Sequence, residues 1–386
     1  MQFNGYVRSD GRVGIRNYVA VLPMVFCVNE VVEAIVSNTM GTKGLCHHQG
    51  CCQLPPDLER TTQCLVGLGK NPNVAAVLLV SLGCEGTDLD LVAQKISATG
   101  RPVEIVRVQA EGGTAIAIAN GIRKVQMMQL AVSGLARQPV DISNYIMSIK
   151  CGASDATSGL ASNCVIGYVA DCMVDMGATV VFGETTEFIG AEHILAQRAV
   201  TEGVKERLYQ IVERMESRAK SLDCDMRKGQ PTPGNIEGGL TTIEDKSVGA
   251  IMKSGSRPIQ GILEYPEIAY EKGLWIKDTP SREMEILTGM AIAGSQCMLF
   301  STGRGAPQGF PIMPVLKVCG NPETYVRMQG DMDINAGTII EGKQSIEQVG
   351  DVVLEELVHI LNGTSTKSEA INYNKSCDFY MQRSVI

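Results

Sequence analysis

Residues 17–25, NYVAVLPMV, form an almost unbroken apolar run rich in branched side chains. Such a run predicts a buried strand. CVNEVVEAIVSN follows with apolar positions at helical spacing. PPDLERTTQCLVGLGK (55–70) predicts a helix with proline in its first turn, and VAAVLLVSLGC (74–84) a second buried strand ending in a glycine turn. A helix over 89–98, a strand at VEIVRV (103–108) and a long helix over 113–136 continue the alternation. This order predicts a parallel sheet with helices on both faces.

QPVDIS (138–143) is polar and contains a proline. It is the expected boundary between a first domain, 1–140, and a second, 141–386. The rhythm then restarts. NYIMSIKCG (144–152) and ATVVFGE (178–184) predict strands, 190–226 a charged helical stretch, and 227–239 a loop. MLFSTGRG (298–305) and PVLKVCG (314–320) predict strands ending in glycine turns, and SIEQVGDVVLEELVHILNG (345–363) an amphipathic helix closed by glycine. The expected fold is α/β: two domains with mainly parallel sheets flanked by helices.

Composition narrows the function classes. The 386 residues are 44% hydrophobic and 20% charged, the balance of an ordinary globular protein with room for two cores. A net charge of -8 argues against a nucleic-acid partner. No segment approaches ~20 uninterrupted apolar residues, so no membrane span is expected. The first residues, MQFNGYVRSDGRVGIRN, carry charges where a signal peptide needs an apolar run, which places the protein in the cytoplasm. There, 13 cysteines read as reduced thiols, metal ligands or core filler.

Ligands bind at the carboxyl ends of the strands in an open α/β sheet. Here those ends are rich in reactive residues: Cys27 and Asn29, then CHHQGCCQL (46–54), Ser81–Glu85, Lys150–Asp155, Gly183–Glu187 and Ser301–Gly305. Together they predict a site at the sheet edge. His47 and Cys51, four apart, could share one face of a turn, although C-x₄-C is not the C-x₂-C pairing of a structural zinc site. Glu184 and Glu187, three apart, could hold a divalent cation, supply a base, or favour the positive end of a helix. Ser301–Gly305 offers backbone N–H groups and the Arg304 fork to a carboxylate. It lacks the Lys-Ser/Thr ending of a phosphate loop. Thr242 can cap a helix with Asp245 three residues on, leaving Lys246 as a solvated charge or a cation aimed at the same anion.

The stretches GYVRSDGRVGIRN (5–17), HHQGCCQL (47–54), NPNVAAVLLVSLGCE (71–85) and KCGASDATSG (150–159) are joined by GETTEFIGAE (183–192), PTPGNIEGGLTTIEDKSVG (231–249), FSTGRGAPQG (300–309) and MDINAG (332–337). In this order, over most of the chain, they resemble the altronate and galactarate dehydratase family of sugar-acid lyases. The resemblance implies iron(II)-dependent loss of water from a sugar acid. It implies a first domain used in forming a homodimer and a variant Rossmann-like catalytic domain with a metal site. Full-length relatives begin with a small β-rich (SAF-like) domain of roughly a hundred residues, so a separate small subunit is an expected partner.

A related branch cleaves (2R)-sulfolactate to pyruvate and sulfite, and it is the alternative reading. KCGASDATSG and GETTE lean toward that branch, whereas the intact His47…Cys51 and Ser301–Gly305 turns favour a dehydratase. The expected metal, Fe(II) or Mn(II), lies among Cys151, Glu184, His47 and Cys51, a mixed donor set suited to iron. His47, Glu187 and Lys246 are the expected catalytic residues; Ser154, Asn235, Thr302 and Arg304 are expected to hold the substrate. The rivals are an iron–sulfur hydro-lyase using Cys51, Cys84 and Cys151, and a non-catalytic metal-binding scaffold.

Overall fold

A computed structural model describes residues 1–383. The strands of the first part are β1 (Gln2–Val7), β2 (Val13–Gly14), β3 (Tyr18–Pro23), β4 (Thr42–Gly44), β5 (Val74–Ser81), β6 (Val103–Arg107) and β7 (Gln138–Asp141). Those of the second are β8 (Ile146–Cys151), β9 (Thr179–Phe182), β10 (Ile259–Leu263), β11 (Gly273–Lys277), β12 (Cys297–Thr302), β13 (Val315–Cys319) and β14 (Ile334–Asn335).

β3, β4, β5 and β6 form a parallel sheet in the order β4-β3-β5-β6. β5 is buried at every position, which is why it reads as a continuous apolar run rather than an alternating one. The helices Asn29–Ser37, Pro55–Gly69, Leu89–Ser97 and Thr114–Ser133 connect and cover these strands. The second sheet is parallel throughout, in the order β10-β11-β9-β8-β12-β13-β14. Its first strand, β8, lies inside the sheet, and the chain winds outward from it in both directions. The crevice between β8 and β12 is therefore a topological switch point.

The expected linker 138–143 is instead largely strand. β7 pairs antiparallel with β1, in a small sheet ordered β2-β1-β7. Pro139 is tolerated because β7 is an edge strand with no further neighbour to donate to. The stretch 190–226 is two helices, Glu192–Ala196 and Glu202–Lys220. They are separated because residues 198–200 hydrogen-bond Ile259 along β10, and Thr201 then caps the second helix. The loop 227–239 contains a short helix, Pro233–Glu237, opened by a capping box of Thr232 and Asn235.

Two apolar clusters contain residues of both parts. The helix Glu283–Ile292 is buried along most of its length because it packs against Pro55–Gly69 of the first part. A Cβ on Gly67 would stand 2.6 Å from Ile292, so glycine permits that approach. Asn71 donates to the carbonyls of Ala291 and Ser295 at 2.8 and 3.0 Å, and Asn73 to those of Gln296 and Ile312, both at 2.8 Å. Residues 377–383 run as a strap over the junction. Phe379 packs on His47, and buried Asp57 accepts from the backbone N–H groups of Gln382 and Arg383. Among the described residues, no helix is long and apolar enough to cross a membrane.

Candidate active site

β8 delivers Lys150 and Cys151 to the carboxyl edge of the second sheet, and the turn after β9 delivers Glu184 and Glu187. Glu184 has a left-handed backbone, φ 74°, with its N–H donated to Thr279 Oγ1 at 2.9 Å. Ala153, after Cys151, also has a left-handed φ, 48°. Non-glycine residues held this way are costly and concentrate at functional sites. The turn Thr185–Glu187 brings both carboxylates to one side. Glu184 Oε2 accepts the Cys151 N–H at 2.9 Å, and Glu187 Oε2 accepts the Cys151 thiol at 2.9 Å.

Lysines complete the cluster. Lys253, at the end of the helix Ile243–Ile251 and its closing turn, lies 3.0 Å from Cys151 Sγ, 2.5 Å from Glu184 Oε2 and 3.1 Å from Glu187 Oε2. Lys246 stands 3.4 Å from Glu187 and is the least buried of the lysines. Lys150 lies 3.6 Å from Glu184 and 3.2 Å from Glu283, over the Phe300 ring. Thr242 caps the lysine-bearing helix by accepting from the Asp245 N–H, as expected.

The charges are mutually dependent. Burial, then the carboxylates of Glu184 and Glu187, push the Cys151 thiol well up. Burial would draw Lys253 down, but Cys151, Glu184 and Glu187 outweigh it and hold the ammonium charged. Burial and Glu187 raise Glu184. In Glu187 burial works upward too, but Lys253 and Lys246 outweigh it and pull the carboxyl below its ordinary range. Two adjacent carboxylates pushed apart in this way can divide acid and base roles. Glu184 Oε1 is buried and has no hydrogen-bond partner among the described residues.

Cys151, Glu184 and Glu187 offer donor atoms within 4.8 Å of one another, a set that could hold a metal ion. The implied metal nevertheless fits poorly, because the ammonium of Lys253 is bonded to all three donors. Three carboxylates, Glu184, Glu187 and Glu283, already face the three ammoniums of Lys150, Lys246 and Lys253, and a dication would add charge that nothing there neutralises.

The expected substrate residues lie beside the cluster. Asn235 donates to the Ser154 carbonyl at 2.8 Å and accepts from Thr232, so it clamps the 232–238 segment onto the β8 loop. Thr302 Oγ1 accepts the Gly305 N–H at 3.0 Å and shapes the turn that presents Arg304. Arg304 pairs with Glu237 at 2.7 Å and lines a cleft of about 620 Å³ with Asp155, Thr157, Asn321 and Arg327. The cleft opens where the β8 and β12 loops meet at the switch point.

His47 and Cys51 are not brought to this cluster. His47 is buried in the first part, with Nε2 2.8 Å from the Pro23 carbonyl and Nδ1 accepting the Gln49 N–H at 3.1 Å. Both ring nitrogens are therefore engaged, and burial pulls the imidazole down to about 4. Cys51 is exposed, 3.6 Å from Cys52 by sulfur–sulfur distance. Cys84 is exposed too, while Cys151 is buried in the second part. Lys150 stood in one of the reactive strand ends of the sequence without an assigned role, and Lys253 was not anticipated. Lys253 had a signal: it follows Lys246 by seven positions, two helical turns, and so shares its face.

Two family models match the chain: the C-terminal domain of D-galactarate/altronate dehydratases over residues 142–384, and the second domain of D-galactarate dehydratase/altronate hydrolase over 5–133. The (2R)-sulfolactate sulfo-lyase subunit beta of Chromohalobacter salexigens is 40% identical over 97% of this chain and 96% of its own. The altronate dehydratase of Bacillus subtilis is 31% identical over 97% of this chain and 76% of its own. The galactarate dehydratase (L-threo-forming) of Escherichia coli is 32% identical, over 94% and 73%.

Proposed function

From the premise that the chain belongs to the D-galactarate/altronate dehydratase family, we propose that it is a lyase that eliminates sulfite from a 2-hydroxy-3-sulfo carboxylate such as (2R)-sulfolactate. The observation that carries this choice of leaving group is the 40% identity to a sulfo-lyase subunit across 97% of the chain, against 30–32% for the dehydratases.

The elimination breaks C2–H and C3–S and forms C2=C3. Sulfite leaves with the C–S electron pair, and the enol takes a proton at C3 to become the 2-keto acid. Glu187, kept ionised between Lys253 and Lys246, takes the C2 proton. The ammoniums around it stabilise the negative charge that develops on the substrate carboxylate. Lys246 at the rim and Arg304 in the adjacent cleft hold the two anionic ends, with Ser154, Asn235 and Thr302 fixing the walls. The chain acts with a second subunit, as the words "subunit beta" in the name of the sulfo-lyase relative imply for that protein.

Water is the second possible leaving group, favoured by the intact Ser301–Gly305 turn and the dehydratase relatives. The test is an anaerobic assay of the reduced protein, with and without iron(II) and with its small subunit if one co-purifies. (2R)-Sulfolactate, altronate and galactarate are offered in parallel, and 2-keto acid and sulfite are both measured. Sulfite with pyruvate is the expected result. A keto-deoxy acid without sulfite replaces this reading by the dehydratase one.

A further inference from the structure

The donor trio that a metal ion would use already has a cation. The Lys253 Nζ stands 2.5–3.1 Å from the Cys151 sulfur and from one oxygen each of Glu184 and Glu187. Lys253 is fully buried, and its backbone lies in the short turn Met252–Ser254 that Gly255 closes with a left-handed φ of 64°. A Cβ on Gly255 would meet Asp171 Oδ1 at 2.2 Å, so the turn is packed tightly. The main chain that carries Lys253 is therefore fixed beside the cluster.

Metal–donor bonds to thiolate and carboxylate are ~2.0–2.3 Å. A metal bonded to all three donors would therefore sit close to Nζ, sharing its partners where all four side chains are buried and screening is weak. Coulomb repulsion between a dication and an ammonium at such range exceeds what either gains from a shared carboxylate. The charge count says the same. Glu184, Glu187 and Glu283 are matched one for one by Lys150, Lys246 and Lys253, so the cluster is already neutralised from within.

We propose that Lys253 is the resident cation of this cluster and stands in place of a metal ion. While Lys253 is present, Cys151, Glu184 and Glu187 bind no divalent cation. The inference concerns the occupant of the site and does not depend on which group the enzyme expels.

Cobalt(II) is the probe, because a cysteine sulfur bonded to it gives a charge-transfer band in the near ultraviolet. The full-length reduced protein is stripped with chelator and titrated with cobalt(II), without substrate. The other cysteines are subtracted by repeating the titration on Cys151→Ser, whose fold is checked by its thermal melt. The expected difference between wild type and Cys151→Ser is flat. A one-equivalent band in wild type that Cys151→Ser loses overturns the proposal. Lys253→Met tests the cause: it should gain a one-equivalent band that the double variant with Cys151→Ser lacks. A folded Lys253→Met without that band also overturns the proposal, since something other than the lysine would then exclude metal. Should Lys253→Met fail to fold, the wild-type difference alone decides. These readouts involve no turnover, so a negative sulfite assay would leave them standing.

Discussion

Glu187 illustrates how much of this site lies in single side chains. Its carboxylate touches Cys151, Lys253 and Lys246, and all four contribute to one charge balance. Glu187→Gln keeps the shape and removes the base; kcat of the folded variant should fall by ~10²–10⁴, and its melting temperature should drop because buried Lys253 loses a carboxylate partner. A loss confined to KM would argue that Glu187 only positions substrate. Gly303 is the second such residue. A Cβ there would lie 1.9 Å from Asp155 Oδ1, and Asp155 is itself held by Thr157, Ser158 and Asn321. Gly303→Ala should therefore cost ~1–3 kcal/mol in urea unfolding and displace the wall of the Arg304 cleft. Residue type was legible from the sequence, but partnership was not. Arg8 and Arg16, in the GYVRSDGRVGIRN stretch, serve the fold: Arg8 donates to the Pro72 carbonyl at 2.8 Å, and Arg16 pairs with Glu369 at 2.9 Å. A sequence names a donor without saying whether a ligand or the main chain receives it.

At the scale of elements, the apolar strands β3, β5, β8, β9, β12 and β13 were legible because full burial leaves no polar alternation. β10 and β11 were missed. They are five residues each, with exposed or half-buried positions, and they acquire strand geometry only by joining the sheet beside β9. The strap 377–383 was also invisible, having no periodicity of its own. It is fixed by tertiary contacts: Phe379 against the His47 ring at 4.5 Å, Tyr380 against Tyr265 at 5.6 Å, and His48 paired with Asp378 at 2.5 Å. Phe379 is 2% exposed. Phe379→Ala should cost ~3–5 kcal/mol and loosen the junction, measured as faster amide exchange in both the strap and the 46–54 loop. Unchanged exchange in that loop would mean that the strap does not brace it.

For the whole molecule, the buried lysines make stability depend on pH. Lys277 is fully buried, and among the described residues its hydrogen-bond acceptors are the carbonyls of Glu264 and Glu267. Burial pulls it from 10.5 down to about 7. Between those values the unfolded chain binds a proton that the folded chain does not, so this residue's contribution to stability rises with pH across that window. Below about pH 7 its cost is fully present. Lys277→Met should be more stable than wild type at neutral pH, on the order of 3 kcal/mol, and that advantage should vanish near pH 10. Urea midpoints across that range check it; a constant gap would show that Lys277 does not titrate there.

The joint made by Asn71 and Asn73 has a consequence for how the two halves can diverge. What those amides grip on the far side is main chain: the carbonyls of Ala291, Ser295, Gln296 and Ile312. Every amino acid brings a carbonyl, so as far as these bonds are concerned the gripped half can drift in sequence without releasing the grip. The tolerance is lopsided. Substitutions that keep the core filled at 291 or 312 should be inherited silently, whereas exchanging Asn71 breaks three buried side-chain bonds and exchanging Asn73 four.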